Sequence, residues 1–423
     1  MSRFIADLHI HSKYSRATSR NMNIPNIAKW AKIKGIDLIA APDWTHGEWF
    51  KELKRDLKPL GNGLFEYNMS EANIKRFPSR ARGSYNQIKF ILVTELSCIY
   101  KKHDKVRKIH NLVFAPSFEI VDKINKNLGK NFNLKSDGRP ILGLDAKNLL
   151  EIILTISKEC LVVPAHAWTP WFSLFGSHSG FDSIEECFEE YSKYIYAIET
   201  GLSSDPAMNR RLSCLDKITL ISNSDAHSPA KLGREANIFN CKLNYKSIIN
   251  AIKKNKIIKT LEFFPEEGKY HFDGHRSCGV CLSPEQAKKY KNICPKCGKL
   301  LTIGVMHRVD DLADRRNYQG SVLFKRLIPL QEIIAEALKV GVDTKTVALE
   351  YEKLIKKFKN EFDILLNIKT EELEKVAEPL VALGIKRVRQ GKVHIKPGYD
   401  GEFGKVSIFG RESKEFNKQK SLF

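Results

Sequence analysis

The feature that most constrains this chain is an alternation of strand-like and helix-like stretches from residue 3 to about residue 262. Phe4–His9 sets apolar residues against polar ones with period two, as a strand does. Ile24–Lys34 follows, with Asn23 placed to cap, Pro25 in the first turn and Gly35 at the end, the punctuation of a helix. Further strands are predicted at Ile36–Ala41, Lys89–Leu96, Lys108–Ala115, Ile141–Leu144, Leu161–His166, Ala197–Thr200 and Ile218–Ser222. Helical spacing covers about Leu149–Lys158, Ser183–Tyr194, Pro206–Leu215 and Tyr245–Asn255. Strands joined through helices favour an α/β class with a parallel sheet, open or closed into a barrel.

Metal-type side chains recur where these strands end. In the first strand Asp7, His9 and His11 are spaced by two and are expected on one face. Asp43 and His46 follow Ile36–Ala41, Glu95 closes its strand, and His110 falls early in the next. His166 ends Leu161–His166, Glu199 lies in Ala197–Thr200, and Asp225 with His227 follow Ile218–Ser222. A lone H-x-H fits ordinary surface histidines equally well. Candidates from many strand ends are how barrel enzymes assemble one site.

Two insertions stand out. Thr45–Lys89 is long and rich in Lys and Arg, and Ala167–Phe181 places five aromatics in an expected loop. Loops are generally polar, so Trp168, Trp171 and Phe172 form either a packing plug or a pocket wall that stacks a base.

Past about Glu262–His275 the alternation stops, and Cys278-x-x-Cys281 is followed by Cys294-x-x-Cys297. That spacing predicts a tetrahedral four-thiolate Zn²⁺ site folding a small ribbon, with His275 and His307 flanking it but not needed. The remaining five cysteines lie among apolar residues as reduced core thiols. Helical patterns at Val322–Lys339 and Lys345–Leu366 follow, then a turn-rich segment Val393–Ile408 and a tail, Arg411–Phe423, expected to be disordered. The expected domains are therefore 1–264, a metal-dependent domain; 265–308, the ribbon; 309–410, a helical C-terminal region; and 411–423, the tail.

No apolar run approaches the roughly 20 residues of a membrane span, and a strand begins within four residues of the start, leaving no room for a signal peptide. A cytoplasmic, nucleoid-associated protein with no membrane partner is expected. The net charge is +21, from 70 Lys and Arg against 49 Asp and Glu. Such a surface suits a polyanion, because neutralised phosphates release counterions.

These motifs resemble those of PHP-domain phosphoesterases: Asp7-Leu8-His9-Ile10-His11-Ser12, Asp43-Trp44-Thr45-His46, Thr94-Glu95, isolated His110 and His166, and Ser224-Asp225-Ala226-His227. Joined to a CxxC/CxxC ribbon and the segment Pro397-Gly398-Tyr399-Asp400-Gly401, the chain is similar to the endonuclease Q family of lesion-specific DNA endonucleases. The resemblance implies a distorted (β/α)7 barrel of parallel strands, followed by the ribbon and a mainly helical region. It implies hydrolysis of the phosphodiester 5′ of uracil, hypoxanthine, xanthine or an abasic site in single- or double-stranded DNA, leaving 3′-hydroxyl and 5′-phosphate. His9, His11, Glu95 and Asp225 would hold one metal, with Glu95 bridging to a second held by His110 and His166. His46 and His227, with Asp43 near, would hold a third; the stretch Ser15-Arg16-Ala17-Thr18 lacks the ligand that often completes it.

Histidine-rich ligation favours Zn²⁺, Mn²⁺ or Fe²⁺ over Mg²⁺. Glu95, Asp225, His9 and His11 are the expected catalytic group, holding a multinuclear centre that activates water and neutralises the phosphate. The ending Gln419–Phe423 resembles the start of a sliding-clamp-binding motif. Two alternatives are a PHP-type phosphatase acting on a small monoester, as histidinol phosphatases do, and a non-catalytic DNA-binding PHP protein. Neither accounts for the ribbon, the basic charge and the full ligand set together.

Overall fold

Short, nearly continuous apolar runs build the central sheet. The computed structural model describes residues 2–68, 88–316, 318, 320 and 323–410. These form two compact units. One comprises Met1–Lys32, Ile36–Glu262 and Val305–Phe324; the other comprises Ile33–Gly35, Phe263–Gly304 and the chain from Lys325.

Strands of the first unit are β1 (Ser2–Asp7), β2 (Leu38–Ala41), β3 (Leu57–Pro59), β4 (Phe65–Tyr67), β5 (Lys89–Lys102) and β6 (Lys105–Ala115). They continue with β7 (Ile141–Leu142), β8 (Leu161–Pro164), β9 (Ala197–Glu199), β10 (Thr219–Ile221), β11 (Ala236–Cys241) and β12 (Lys259–Glu262). β1 pairs in parallel with β2 and β2 with β5, as short strands buried on both faces do. All four residues of β2, Leu-Ile-Ala-Ala, are buried.

The α/β class is as expected, but the sheet is mixed rather than wholly parallel. β5 runs past Glu95 to Lys102 and returns at once as antiparallel β6, which also pairs antiparallel with β8. The turn residues His103 and Asp104 both have positive φ, 52° and 59°, the geometry of a tight hairpin turn. Because the pair is His-Asp rather than Asn-Gly, composition gave little sign of it. Beyond β8 the path back to β1 runs through two single contacts and one strand pair. The Ala167 amide donates to the Glu199 carbonyl at 2.9 Å, parallel β9 and β10 follow, and an Ile10–Ala226 bridge returns to the end of β1. β11 pairs antiparallel with β1 and β12 with β11.

Helices cover the sheet with apolar stripes. Ile24–Lys34 buries Ile27, Ala28 and Ala31; Ala146–Ile156 buries Leu149, Leu150 and Ile153; Tyr245–Lys253 buries Ile248, Ile249 and Ile252. Each large aliphatic side chain so buried contributes roughly 1.5–3 kcal/mol. The insertion Thr45–Lys89 contains the helix Gly47–Asp56 as well as β3 and β4, and its residues 69–87 lie outside the described residues.

In the second unit, antiparallel Asp273–His275 and Val280–Leu282 and the helix Pro284–Lys289 surround a core of only Val280, Ala287, Cys294 and Leu301. Among the described residues five helices follow: Leu330–Leu338, Lys345–Phe358, Glu361–Leu366, Thr370–Glu374 and Pro379–Arg389. The first starts eight residues later than expected from Val322, because Pro329 sits at its N-cap with extended ψ of 139°. The expected Lys345–Leu366 helix is two, broken where Lys359 adopts φ 76° and the Asn360 side chain accepts from the Asp363 amide. The turn-rich segment is a hairpin of His394–Lys396 with Lys405–Ser407. Among the described residues, no helix is long and apolar enough to cross a membrane.

Candidate metal centre

β1 ends at Asp7, so the three residues spaced by two do not share one face of a strand. Asp7 turns away: its carboxylate accepts from the Ser224 amide and hydroxyl at 3.1 and 2.6 Å and from the Gly233 amide at 2.9 Å. It thereby ties down the loop that carries Asp225, and burial raises its pKa to about 6. His9 and His11, just past the strand, point inward instead. His9 Nε2 and His11 Nε2 lie 3.6 and 3.1 Å from Asp225 Oδ1, forming a three-residue group.

A second group is Glu95, His110 and His166. Glu95 Oε1 is 2.7 Å from His110 Nδ1 and 3.0 Å from His166 Nε2. Its other oxygen, Oε2, is 3.3 Å from His11 Nε2 and 3.7 Å from His9 Nε2. One fully buried carboxylate thus faces both groups, one oxygen to each.

The supporting hydrogen bonds fix which histidine nitrogens face inward. Glu199 holds His9 Nδ1 at 3.0 Å and Asp43 holds His11 Nδ1 at 3.1 Å. With Nδ1–H donated outward, each Nε2 keeps a lone pair directed at the group, the arrangement of metal-binding histidines. Among the described residues, the inner atoms His9 Nε2, His11 Nε2 and Asp225 Oδ1 are buried without a hydrogen-bond partner. Such orphaned polar atoms are costly unless a ligand engages them, so the donor set fits divalent cations.

The carboxylates around the site favour positive charge within it, whether a proton or a cation. Burial works against charge on His9, yet Glu199, Asp225 and Glu95 outweigh it and hold its pKa well above the ordinary value. Burial likewise would raise Glu95, but His110, Arg139 and His9 hold it well below the usual carboxylate range. His110, by contrast, is pushed down to about 4 by burial, leaving a neutral imidazole near neutral pH. His166 and Asp225 sit at positive φ, 30° and 47°, backbone strain of the kind that clusters at functional sites.

Several expected positions fall elsewhere. Asp43, read as a ligand, is committed to His11 Nδ1, the Ser12 amide at 2.6 Å and the Ser15 hydroxyl at 2.7 Å; it holds the His11 ring in place. His46 caps the helix Gly47–Asp56 through the Trp49 amide and stacks on Tyr14 at 4.4 Å. His227 Nδ1 donates to the Asp225 carbonyl at 2.9 Å, and its ring lies 4.6 Å from that of His11. Neither joins a three-ligand group among the described residues.

Two residues were not given their place by sequence reasoning. Glu199, noted only as a strand-end acid, also accepts from the His166 amide and from Asn223 Nδ2, both at 2.8 Å, so it braces one member of each group. Arg139, in a Gly-Arg-Pro turn with no distinguishing motif, donates to Glu95 Oε2 at 3.1 Å.

Of the aromatic loop, Trp168 is buried with its indole donating to Asn209 Oδ1 at 2.7 Å, so it packs rather than lines a pocket. Phe172 lies 4.8 Å from the His110 ring, and its carbonyl accepts from the His110 amide at 3.1 Å. Trp171 is 39% exposed and stacks on His178 at 4.5 Å with 7° between planes.

In the ribbon, the structure groups Cys278, Cys294 and Cys297 with His275 and leaves Cys281 out. His275 Nδ1 is 3.6 Å from Cys297 Sγ, whereas Cys281 lies on the strand opposite Gly274. The repeated unit is therefore His275-Arg-Ser-Cys278-Gly279 and Cys294-Pro-Lys-Cys297-Gly298, each ending on a glycine at positive φ, 61° and 72°. That parallel was visible in the sequence, where the CxxC spacing drew attention to Cys281 instead.

On this α/β sheet two groups of metal-type side chains share one buried carboxylate, Glu95. A family profile described as the MJ0043 C-terminal domain matches residues 329–392. The uncharacterised protein MJ0043 of Methanocaldococcus jannaschii is 38% identical over 267 residues, 61% of this chain, but the match spans only 33% of that longer protein. The crystal structure of the lesion-specific endonuclease PfuEndoQ from Pyrococcus furiosus superposes with a TM-score of 0.83 at 32% identity, covering 99% of both chains. Endonuclease Q in complex with a 27-mer duplex carrying an abasic lesion superposes with a TM-score of 0.81 at 33% identity, covering 96% of each. The chain belongs to the endonuclease Q family.

Proposed function

We propose that this protein is a metal-dependent DNA repair endonuclease of the PHP type. It hydrolyses the phosphodiester 5′ of a deaminated base (uracil, hypoxanthine or xanthine) or an abasic site, leaving 3′-hydroxyl and 5′-phosphate. The observation that carries this is Glu95, one buried carboxylate shared between His9–His11–Asp225 and His110–His166. Similarity to endonuclease Q over nearly the whole chain supports DNA as the substrate.

His9, His11, Asp225 and Glu95 would hold one cation, and Glu95, His110 and His166 another; this donor set suits Zn²⁺, Mn²⁺ or Fe²⁺ better than Mg²⁺. When bound, the cations supply an activated water and neutralise charge on the phosphate. The chain's own residues do the rest. Glu199 and Asp43 keep the imidazoles in the required tautomer, and Asp7 holds the Asp225 loop in place. Arg139 brings a guanidinium to the same carboxylate, where it can pair with a non-bridging phosphate oxygen. Trp171 and Phe172 form the wall against which an unstacked nucleotide rests. His275, Cys278, Cys294 and Cys297 would hold a structural Zn²⁺, which a core of four buried residues needs in order to fold. The clamp motif Gln419–Phe423 lies outside the described residues; a pull-down with the sliding clamp, with and without residues 415–423, tests it.

The experiment is incision of duplexes carrying one uracil, hypoxanthine, xanthine or abasic site, with Mn²⁺ or Zn²⁺ titrated. Incision 5′ of the lesion with ligatable 3′-hydroxyl ends is expected. Phosphate release from monoesters without incision would instead make the protein a phosphatase, and DNA binding without either reaction would make it a non-catalytic binder.

A further inference from the structure

The hairpin 394–407 of the second unit is built more tightly than a surface turn requires. The Gly398 amide donates to the Glu266 carbonyl at 2.8 Å, the Gly404 amide to the Glu267 carbonyl at 3.0 Å, and the Gly401 amide to the Lys269 carbonyl at 3.0 Å. The Gly398 carbonyl accepts from the Phe272 amide at 2.9 Å. Asp400 at the tip accepts from the Arg276 amide and the Thr302 hydroxyl, both at 2.6 Å. A Cβ at Gly404 would run into the Glu266 carbonyl oxygen, so the backbones meet at van der Waals limit.

What this braced turn displays is unfavourable by itself. Phe403 is 73% exposed. Lys269 places its ammonium 4.6 Å from the centre of that ring. Lys396 and Lys405 are direct cross-strand partners. Like charges in that position destabilise a strand pair, and among the described residues neither lysine is in an ion pair. Lys392, Lys396 and Lys405 are exposed, against the single exposed carboxylate of Glu402. A polyanion would relieve the repulsion, and an exposed ring beside cations is how single bases are stacked.

We propose that this hairpin is a DNA contact in which Lys396 and Lys405 take backbone phosphate and Phe403 packs on an unstacked base or its sugar. The proposal rests on DNA being the substrate, and it adds a second contact to that made by the metal centre. The braced geometry means that little ordering is needed on binding.

The test is fluorescence anisotropy with the full chain and labelled duplex and single-stranded oligonucleotides across a salt series. Lys396→Glu with Lys405→Glu should weaken binding about 10- to 100-fold and lower the magnitude of the slope of log K against log salt by about 2. Phe403→Ala should weaken binding at least about 5-fold with the slope unchanged. These side chains are exposed, and thermal melts matching wild type would exclude unfolding. Wild-type affinity and slope in both variants would overturn the proposal alone; failure of the wild-type protein to bind DNA would overturn it together with the DNA reading.

Discussion

Replacing Glu199 by glutamine tests whether the two ligand groups are held by a common brace. The carboxylate is fully buried and has three fixed donors around it: His9 Nδ1–H, the His166 amide and Asn223 Nδ2–H. Glutamine is isosteric but offers one acceptor oxygen and one NH₂. Whichever way it turns, its NH₂ must face the His166 amide or the Asn223 amide, donor against donor. Asn223 cannot simply flip, because its own oxygen accepts from the Leu8 amide at 2.8 Å. Losing a hydrogen bond to a charged group costs about 1.5–3 kcal/mol, and the His9 tautomer is no longer enforced. Loss of such outer partners typically lowers metal affinity by roughly 10- to 100-fold. Calorimetric titration with Mn²⁺, beside single-turnover incision at rising Mn²⁺, should show that weakening, with incision recovering at high metal. Equal Mn²⁺ affinity in Glu199→Gln and wild type, with a folded variant, would refute the bracing role.

Other consequences follow from particular contacts. His275→Ala should lose bound zinc from the purified protein while Cys281→Ser retains it; elemental analysis giving the opposite pattern would restore the four-cysteine set. Trp171→Ala should slow incision beside a lesion by about 10-fold or more and leave the melting temperature unchanged, because the ring is partly exposed. Unaltered lesion preference would remove Trp171 from the pocket wall. Burial, aided by nearby Asp205, raises Glu262 from an ordinary 4.5 to about 8, with Ser222 and Thr200 hydroxyls against it. The folded state therefore holds a proton that the unfolded state releases above about pH 4.5. Its stabilising contribution is present below that value and is lost as pH rises towards 8. Melting temperatures should fall across that window in wild type and fall less in Glu262→Gln; parallel profiles would count against a protonated Glu262.

Much of the candidate site was legible because strand ends advertise themselves: an apolar run stops and a lone His, Glu or Asp follows. This marked His9, His11, His166 and Asp225; Glu95 and His110 stood out as polar residues in apolar runs and lie inside β5 and β6, and the structure gathers all six into two groups. Sequence spacing does not say which polar neighbour faces a cation and which faces a histidine, so Asp43 and Glu199 could be assigned only from hydrogen bonds. Asp7 looked equivalent to His9 by period-two spacing, but β1 ends there and the Asp7 carboxylate is taken up by Ser224 and Gly233. The antiparallel β5–β6 return was hidden because His103-Asp104 is an uncommon composition for a tight turn. Arg139 reaches Glu95 from a loop more than forty residues away, a contact no local pattern encodes.

We propose that cations held by the two groups sharing Glu95 hydrolyse the phosphodiester beside a DNA lesion. The most direct test is single-turnover incision of a duplex with one central abasic site, by wild type, His9→Ala and Asp225→Ala, with binding to the same duplex followed by anisotropy. Wild type with added Mn²⁺ should incise 5′ of the lesion, and both variants should lose incision while largely retaining binding. Incision by either variant at the wild-type rate would contradict the claim.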